Sequence, residues 1–383
     1  MLFKEIISDN VLFTAFVLYS LCFTIQMIYY WKIFGKFAFY KKNKLPNQYK
    51  AVSVIICAKN EYFNLKKNLP LILEQDYPGY EVVVVNDCSE DDSQYLLKIF
   101  SEKYSHLKVI TIKQNVNFFR GKKFALAVGI KSAKNDILLL TDADCSPKSN
   151  RWIAEMQNNF TGETEIVLGY SGYEYEKGIL NKMIRFETIM TALQYFSWSL
   201  TGKTYMGVGR NLAYNKKLFF DVKGFTSHYH ISSGDDDLFI NKVATNRNTS
   251  IEISKQAHTS SAPKKTFNDW FLQKKRHYST GFLYKPSHKI MLGMFGLSSF
   301  LFYLSLFFIL IFSVTAFLYS NIIIVCSLFI IRLATQLIII KKTMKKLDEK
   351  KLLLISPILD FVFVILNPII AFWNVIVKNN KWK

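Results

Sequence analysis

Hydrophobic residues collect in long uncharged runs at the two ends of the chain and in short β-rich runs between them. No charged residue falls between Val11 and Tyr30, and none between Ile290 and Ile331. An α-helix needs about 20 apolar residues to cross the hydrocarbon core of a bilayer. The first run therefore predicts one span. The second predicts two, about Ile290 to Leu318 and Ile322 to Ile340, with a turn at Tyr319, Ser320 and Asn321. A third run, Leu352 to Val377, is interrupted by Asp360 and contains Pro357 and Pro368. It reads as a fourth span or as a re-entrant or interfacial segment, since helix breakers and polar groups at membrane depth need burial in protein or water. Four spans is the expectation. The N-terminal run is long for a signal peptide and no small-x-small cleavage site follows it, so a retained anchor is expected.

The middle alternates between two periods. Val52–Ile56, Glu81–Val85, Leu107–Ile112 and Ile137–Thr141 are short, continuous apolar runs, the mark of strands covered on both faces. Between them, Phe63–Glu74, Asp91–Tyr104 and Lys122–Ala133 have helical spacing; Leu65, Leu69 and Leu73 recur every four residues. Strand–helix alternation of this kind predicts an α/β domain built on a mainly parallel sheet with helices on both faces. Further helices are expected over Met183–Trp198 and Leu238–Ala244. The former carries aromatics at its end and reads either as a core helix or as one lying in the membrane interface. The chain divides into an anchor (1–31), a basic cytoplasmic linker (32–50), the α/β domain (51–288) and C-terminal transmembrane helices (289–383).

The net charge of +20 changes the picture less than its placement does. Most of the excess lies in Trp31–Lys50, Lys255–Lys289 and Lys341–Lys351, each beside an apolar run. Basic flanks on the cytoplasmic side of spans orient membrane proteins and attract anionic lipid heads. The expected partners are thus membrane lipids and no nucleic acid. The expected location is the inner cell membrane, multi-pass, with the N-terminus outside and the α/β domain in the cytoplasm. The five cysteines show neither metal-ligand spacing nor a disulfide framework.

In parallel sheets, ligands bind beyond the carboxyl ends of the strands. The residues that follow the four strands are Asn60 and Glu61, then Asp87 in Asn-Asp-Cys-Ser, then the loop Gln114–Gly121, then Asp142-Ala143-Asp144. Each alone reads equally as a helix cap or turn; gathered on one edge they predict a site. Two carboxylates as close as Asp142 and Asp144 repel unless a cation or proton lies between them. Hard divalent ions accept such oxygens and complete their shell with substrate phosphates, so Mg²⁺ or Mn²⁺ is the expected cofactor. Arg120-Gly121-Lys122-Lys123 opens a helix, where lysines and free N–H groups together suit a phosphate. Asp87 is a turn residue or an acceptor for a uracil N3–H.

These pieces resemble the membrane-bound branch of glycosyltransferase family 2, with its GT-A fold. The resemblance rests on VSVIICAKNE, VVVVNDCS, RGKKFALAVGI, ILLLTDADC, MGVGRNLAYNKKLFFDVKGF, SGDDDLF and QKKRH, in that order over roughly residues 52–280. It implies that Asn60, Glu61, Asp87, Lys122 and Asp142 bind the nucleotide-sugar donor and that Asp142 and Asp144 hold the metal. SGDDDLF is similar to the family's Glu-Asp motif, which makes Asp236 the general base and Asp235 its acceptor-site neighbour; Asp237 stands one residue away. Gln273 and Arg276 match the Gln-x-x-Arg-Trp motif of processive members, with His277 in place of the Trp. The implied reaction is inverting transfer from a nucleotide sugar, UDP-linked, to a hydroxyl on a glycan or lipid-linked acceptor. Two alternatives stay open: a polyprenyl phosphate acceptor, which needs no base, and a sugar-binding membrane component without catalysis.

Overall fold

The computed structural model describes residues 10–42, 48–113, 121–231 and 233–376. Helix α1 (Asn10–Ile28) continues through a π-helical turn, Tyr29–Phe34, and a last turn, Gly35–Ala38. The α/β part contains β1 (Val52–Ala58), α2 (Tyr62–Leu73), β2 (Tyr80–Asp87), α3 (Ser93–Lys103), β3 (Leu107–Ile112), α4 (Lys123–Ser132) and β4 (Ile137–Asp142). Then come β5 (Cys145–Pro147), α5 (Trp152–Gln157), β6 (Ile166–Leu168), β7 (Ser171–Tyr173), α6 (Ile179–Ser199) and β8 (Leu212–Asn215). The domain closes with α7 (Lys216–Asp221), α8 (Asp237–Val243), β9 (Thr249–Ile251), β10 (Thr259–Ser261) and α9 (Phe267–Gly281). Three long helices follow: α10 (Pro286–Thr315), α11 (Tyr319–Lys346) and α12 (Ser356–Ile376).

The main sheet has the order β3-β2-β1-β4-β8-β6-β9. Its first four strands are parallel, while β8 runs antiparallel to both β4 and β6. Because side chains alternate across a strand, Val54, Ile56, Val82 and Val84 enter one core with α2, α3 and α5. Ile55, Val83, Val85, Leu138 and Leu140 enter the other, shared with α4, α6 and the end of α1. This is why the strands read as unbroken apolar runs. A second sheet, β5-β10-β7, stands beside the carboxyl edge of the first. Its three-residue strands are too short to show a period, and neither they nor the reversed β8 is legible in the residue pattern.

Among the described residues, four helices are long and apolar enough to cross a membrane: Asn10–Ala38, Pro286–Thr315, Tyr319–Lys346 and Ser356–Asn374. The basic stretch after the first is partly helix, and Phe34 and Phe37 at its end are fully buried against the domain. Phe37 stacks on Phe196 of α6 at 4.9 Å, and Tyr29 packs edge-on to Trp198. Helix α1 thus enters the core of the domain it anchors. Lys42 continues the attachment by pairing with Glu155 at 3.1 Å and Glu252 at 2.5 Å.

Helix α4 approaches the sheet at Gly129. A Cβ there would lie 2.8 Å from Ile55 Cγ2 and 3.1 Å from Val85 Cγ2, with both partners in the packed core. Alanine gains about 1 kcal/mol over glycine in a helix, but overpacking a core costs about 1–3 kcal/mol. Gly129→Ala should therefore lower stability despite the better helix former, read as a fall in thermal unfolding temperature of detergent-solubilised protein.

Candidate active site

The carboxyl edge of β1, β2 and β4 collects the acids that the sequence singles out. Asp142 ends β4, and its Oδ1 lies 2.8 Å from Lys122 Nζ. The same ammonium lies 3.0 Å from Asp235 Oδ2. Lys122 therefore joins the acid pair after β4 to the acid cluster before α8. Burial disfavours its charge, but Asp142, Asp235 and Asp236 together hold its pKa well above the usual lysine value. Its neighbour Lys123 turns away and donates to the carbonyls of Ile231 and Ser233. One lysine enters the site and the next pins the loop that presents the acids. His228 adds a contact to that loop, through its Nε2 and the Gly234 carbonyl at 2.8 Å.

The three adjacent acids have three different environments. Asp235 is paired with Lys122. Asp237 is buried, and its Oδ2 accepts from Tyr284 at 2.8 Å and from Thr280 of α9. It ties α8 to α9. Asp236 is more exposed than either neighbour. Its Oδ2 accepts from Gly209 N at 2.7 Å and its Oδ1 from Asp237 N at 2.7 Å. Desolvation, then the charges of Asp235 and Asp237, push its pKa up to about 7, against the pull of Lys122. Of the three, Asp236 alone combines access to solvent with a proton affinity suited to accepting a proton near neutral pH.

The carboxylates of Asp142 and Asp144 and the thiol of Cys145 lie within 4.8 Å of one another. Burial would raise Asp142, but Lys122 first, then Arg210 and Arg276, hold it below the usual carboxylate range. Loss of solvent in the cleft and the charge of Asp142 push Asp144 up. The Cys145 thiol is driven well above its ordinary value by burial and by both acids. It stays protonated, so the available donors are hard carboxylate oxygens, one of them exposed. That set fits Mg²⁺ or Mn²⁺ and not a thiolate-seeking ion.

Asn60 has φ 55°, a left-handed turn that asparagine tolerates. Its Oδ1 accepts from Glu90 N at 2.8 Å, and its own N–H donates to Ser89 Oγ. Glu61 is pushed up by burial and by Asp144 and Asp142, against a hydrogen bond from Asn64. Asp87 is pushed up by burial, against Lys59. Cys57, at the end of β1, feels Asp142, Asp235 and Asp87 together. The β1, β2 and β4 ends thus share one cleft. Gln273 and Arg276 reach it from α9: Gln273 Nε2 donates to Tyr173 Oη at 3.2 Å, and the charge of Arg276 acts on Asp142. His277 is exposed to solvent, and desolvation by the surrounding protein, then the charges of Arg276, Lys274 and Arg210, push its pKa down. Arg120 and the loop 114–120 lie outside the described residues.

Arg210 is absent from the sequence-level assignment. It sits under the cleft, donating to Ser261 Oγ at 2.8 Å and to the Ser171 carbonyl at 3.2 Å, with its guanidinium 4.4 Å from the Tyr173 ring centre. Its charge acts on both Asp142 and Asp144. The flanking residues explain the placement. Gly209 gives its N–H to Asp236, and Asn211 is fully buried, bonded to the carbonyls of Tyr170 and Ala257 and to Trp152 Nε1. Gly169 lies so close that a Cβ would come 2.5 Å from the Asn211 amide carbon. The only sequence signal is one arginine among glycines in Met206–Asn211.

Residues 53–222 match the profile of Glycosyl transferase family 2. Over this stretch the chain carries the family 2 pattern. Among curated relatives, glycosyltransferase AglE of Haloferax volcanii is 32% identical over 33% of this chain and 41% of its own length. Poly-beta-1,6-N-acetyl-D-glucosamine synthase of Staphylococcus epidermidis is 27% identical over 33% of this chain and 32% of its own length. The chain thus spans under half the length of these relatives. A solved structure, the mannosyltransferase PcManGT from Pyrobaculum calidifontis in complex with GDP-Man and Mn²⁺, covers 88% of this chain and 99% of its own. At a TM-score of 0.56 and 19% identity it shares the fold, which is GT-A as the sequence led us to expect. The family 2 match takes in Asp142, Asp144 and Arg210 and stops short of the acids at 235–237.

The raised pKa of Asp236 has a linkage consequence. A carboxyl that titrates higher when folded than when unfolded weakens the fold above its unfolded value. Asp236→Asn should therefore be stabilising, by an amount that grows from about pH 4 to about pH 7 and is constant above. Thermal unfolding across that range tests this; a stability difference independent of pH refutes the assignment of the titration to Asp236.

Proposed function

We propose that the protein is a membrane-bound inverting glycosyltransferase that moves a sugar from a nucleotide sugar, UDP-linked, to a hydroxyl of a glycan or lipid-linked acceptor at the cytoplasmic face. One observation carries this reading: a single lysine joins a metal-competent acid pair to an acid cluster whose half-buried member, Asp236, is poised to take a proton. The names of the two curated relatives, and the GDP-Man and Mn²⁺ in the structural neighbour, support the same class of chemistry.

The steps follow from where the groups lie. Asn60, Glu61 and Asp87 line the nucleoside end of the cleft, and Lys122 and Asp142 the phosphate end. Asp142 and Asp144 would hold the divalent ion, which neutralises the diphosphate as it leaves. Lys122 and Arg210 add fixed positive charge at the same end, already oriented by their partners. On the far side of Lys122, Asp236 takes the proton of the acceptor hydroxyl while its oxygen bonds to the anomeric carbon. The bond from that carbon to the phosphate oxygen breaks on the opposite face, and configuration inverts. Gly209 N–H and Asp237 N–H hold the Asp236 carboxylate in position, while Asp235, Gln273 and Arg276 line the acceptor side.

Purified protein should hydrolyse, or be thermally stabilised by, one class among UDP-, GDP- and CDP-sugars; a response to none of them would overturn the reading. Asp142→Ala and Asp144→Ala should each abolish divalent-dependent turnover and leave the thermal unfolding transition cooperative. Full activity of the wild-type chain in excess EDTA is the contrary result. Asp236→Asn should retain nucleotide diphosphate binding and lose roughly 10²- to 10⁴-fold in rate, the usual worth of a general base. The wild-type rate should rise with pH through about 7, because only the ionised Asp236 accepts a proton. Near-full activity of Asp236→Asn would favour a phosphate acceptor, which brings its own negative charge.

A further inference from the structure

Helix α12 has three faces, and they disagree with a transmembrane course. Leu359 and Phe363, both buried, lie toward the catalytic domain, and Ile370 is buried farther along the helix. Phe363 stacks on Phe186 of α6 at 6.0 Å and meets Trp270 of α9 edge-on at 6.2 Å. The second face meets the other long helices. Asp360 pairs with Arg332 of α11 at 3.1 Å and accepts from Tyr303 of α10 at 3.0 Å, and Phe361 packs on Tyr303. The third face is uncovered: Ile358, Ile365, Ile369 and Phe372 are 63%, 42%, 52% and 68% exposed and recur at helical spacing.

The far end of the helix decides the geometry. Asn374 Nδ2 donates to the Lys275 carbonyl of α9 at 2.7 Å. Along a helix, Asp360 to Asn374 is about 21 Å of rise. If α12 crossed the bilayer outward from Asp360, Asn374 would lie near the opposite surface and would draw α9 with it. Helix α9 carries Lys274, Lys275 and Arg276 in succession, and each charge at the bilayer centre costs about 2.5–3.5 kcal/mol on the insertion scale. A helix that stays beside α9 along its length cannot also leave the domain's side of the membrane.

We propose that α12 is an in-plane helix on the catalytic domain's side of the bilayer, its Ile358–Ile365–Ile369–Phe372 stripe set among the acyl chains of that leaflet. The occupant of the uncovered face is lipid, since the stripe is purely apolar and continuous with the exposed apolar faces of α10 and α11. The buried Arg332–Asp360 pair fastens the helix to the span beneath it. The arrangement seats Gln273 and Arg276 over the leaflet, within reach of a lipid-borne acceptor. The inference rests on membrane association of α10 and α11 and not on the transfer chemistry.

Spin labels on Ile358→Cys, Ile365→Cys, Ile369→Cys and Phe372→Cys, in a chain with its native cysteines replaced and reconstituted in lipid nanodiscs, read depth by oxygen and nickel-chelate accessibility. An in-plane helix gives four similar, shallow depths. Depths that place positions 358 and 372 near opposite surfaces would overturn the proposal, as would four water-exposed labels. A second measurement leaves the cysteines intact. A protease-removable tag after Lys383, in sealed vesicles of known orientation, should be cut from the same side as the catalytic domain. Cleavage from the opposite side restores a fourth span and refutes the in-plane helix, whatever the outcome of the sugar-nucleotide assays.

Discussion

The site depends on one problem of charge. Asp142, Asp144, Asp235, Asp236 and Asp237 are brought toward one edge of a sheet, and like charges in a partly dry cleft raise one another's proton affinity. Lys122 is the fixed cation that touches both groups, at 2.8 Å to Asp142 and 3.0 Å to Asp235. Its position divides the acids by role. Asp142 and Asp235, which it contacts, are paired with its charge. Asp144 and Asp236, on either side of it, carry excess negative charge, and both have raised pKa values. A divalent ion relieves the first and a proton the second. The arrangement thus stores, before any substrate arrives, the two charge changes that the proposed transfer calls for.

The fold is built to keep that geometry. Lys123 and His228 fix the loop that presents the acids, and Asp237 fastens α8 to α9 through Thr280 and Tyr284. On the other flank, Gly209, Arg210 and Asn211 act as one unit. Their backbone and side chains meet Asp236, the end of β4 through Thr141, and the second sheet through Ser261 and Thr259. Arg210 is therefore held by the same short segment that steadies Asp236. Moving one would move the other, which makes this segment a stronger determinant of the site than any single acid.

What the sequence disclosed follows from which signals are periodic. The four parallel strands and the helices between them agree with the residue pattern to within about two residues, because both of their faces, or one stripe, are repeatedly apolar. The acids were legible as residues that end strands in a parallel sheet, where position alone implies a cleft. The second sheet and Arg210 were not. Strands of three residues leave no period to read, and an arginine among glycines has no meaning until β7 and β10 place Ser171 and Ser261 beside it. The distinction among Asp235, Asp236 and Asp237 was likewise hidden, since it depends on partners more than forty residues away on α9.

The ends of the chain show the same limit from the other direction. Apolar length says that a helix can cross a bilayer, but not that it does. Helix α12 has the composition of a span, yet one of its faces packs on a domain whose neighbouring helix carries three consecutive cations. On the in-plane course proposed above, tertiary contact overrides hydropathy, because α12 could not go deeper without carrying the cations of α9 with it. A related packing joins α1 to the domain without a linker. Tyr29, Phe34 and Phe37 lie against the aromatic surface of α6 and Phe295, so the apolar run ends inside protein and not in water. Helix α1 and the α/β core are thereby one packed body, and in the proposed membrane-bound state the height of the cleft above the bilayer follows from side-chain packing, not from the length of a tether.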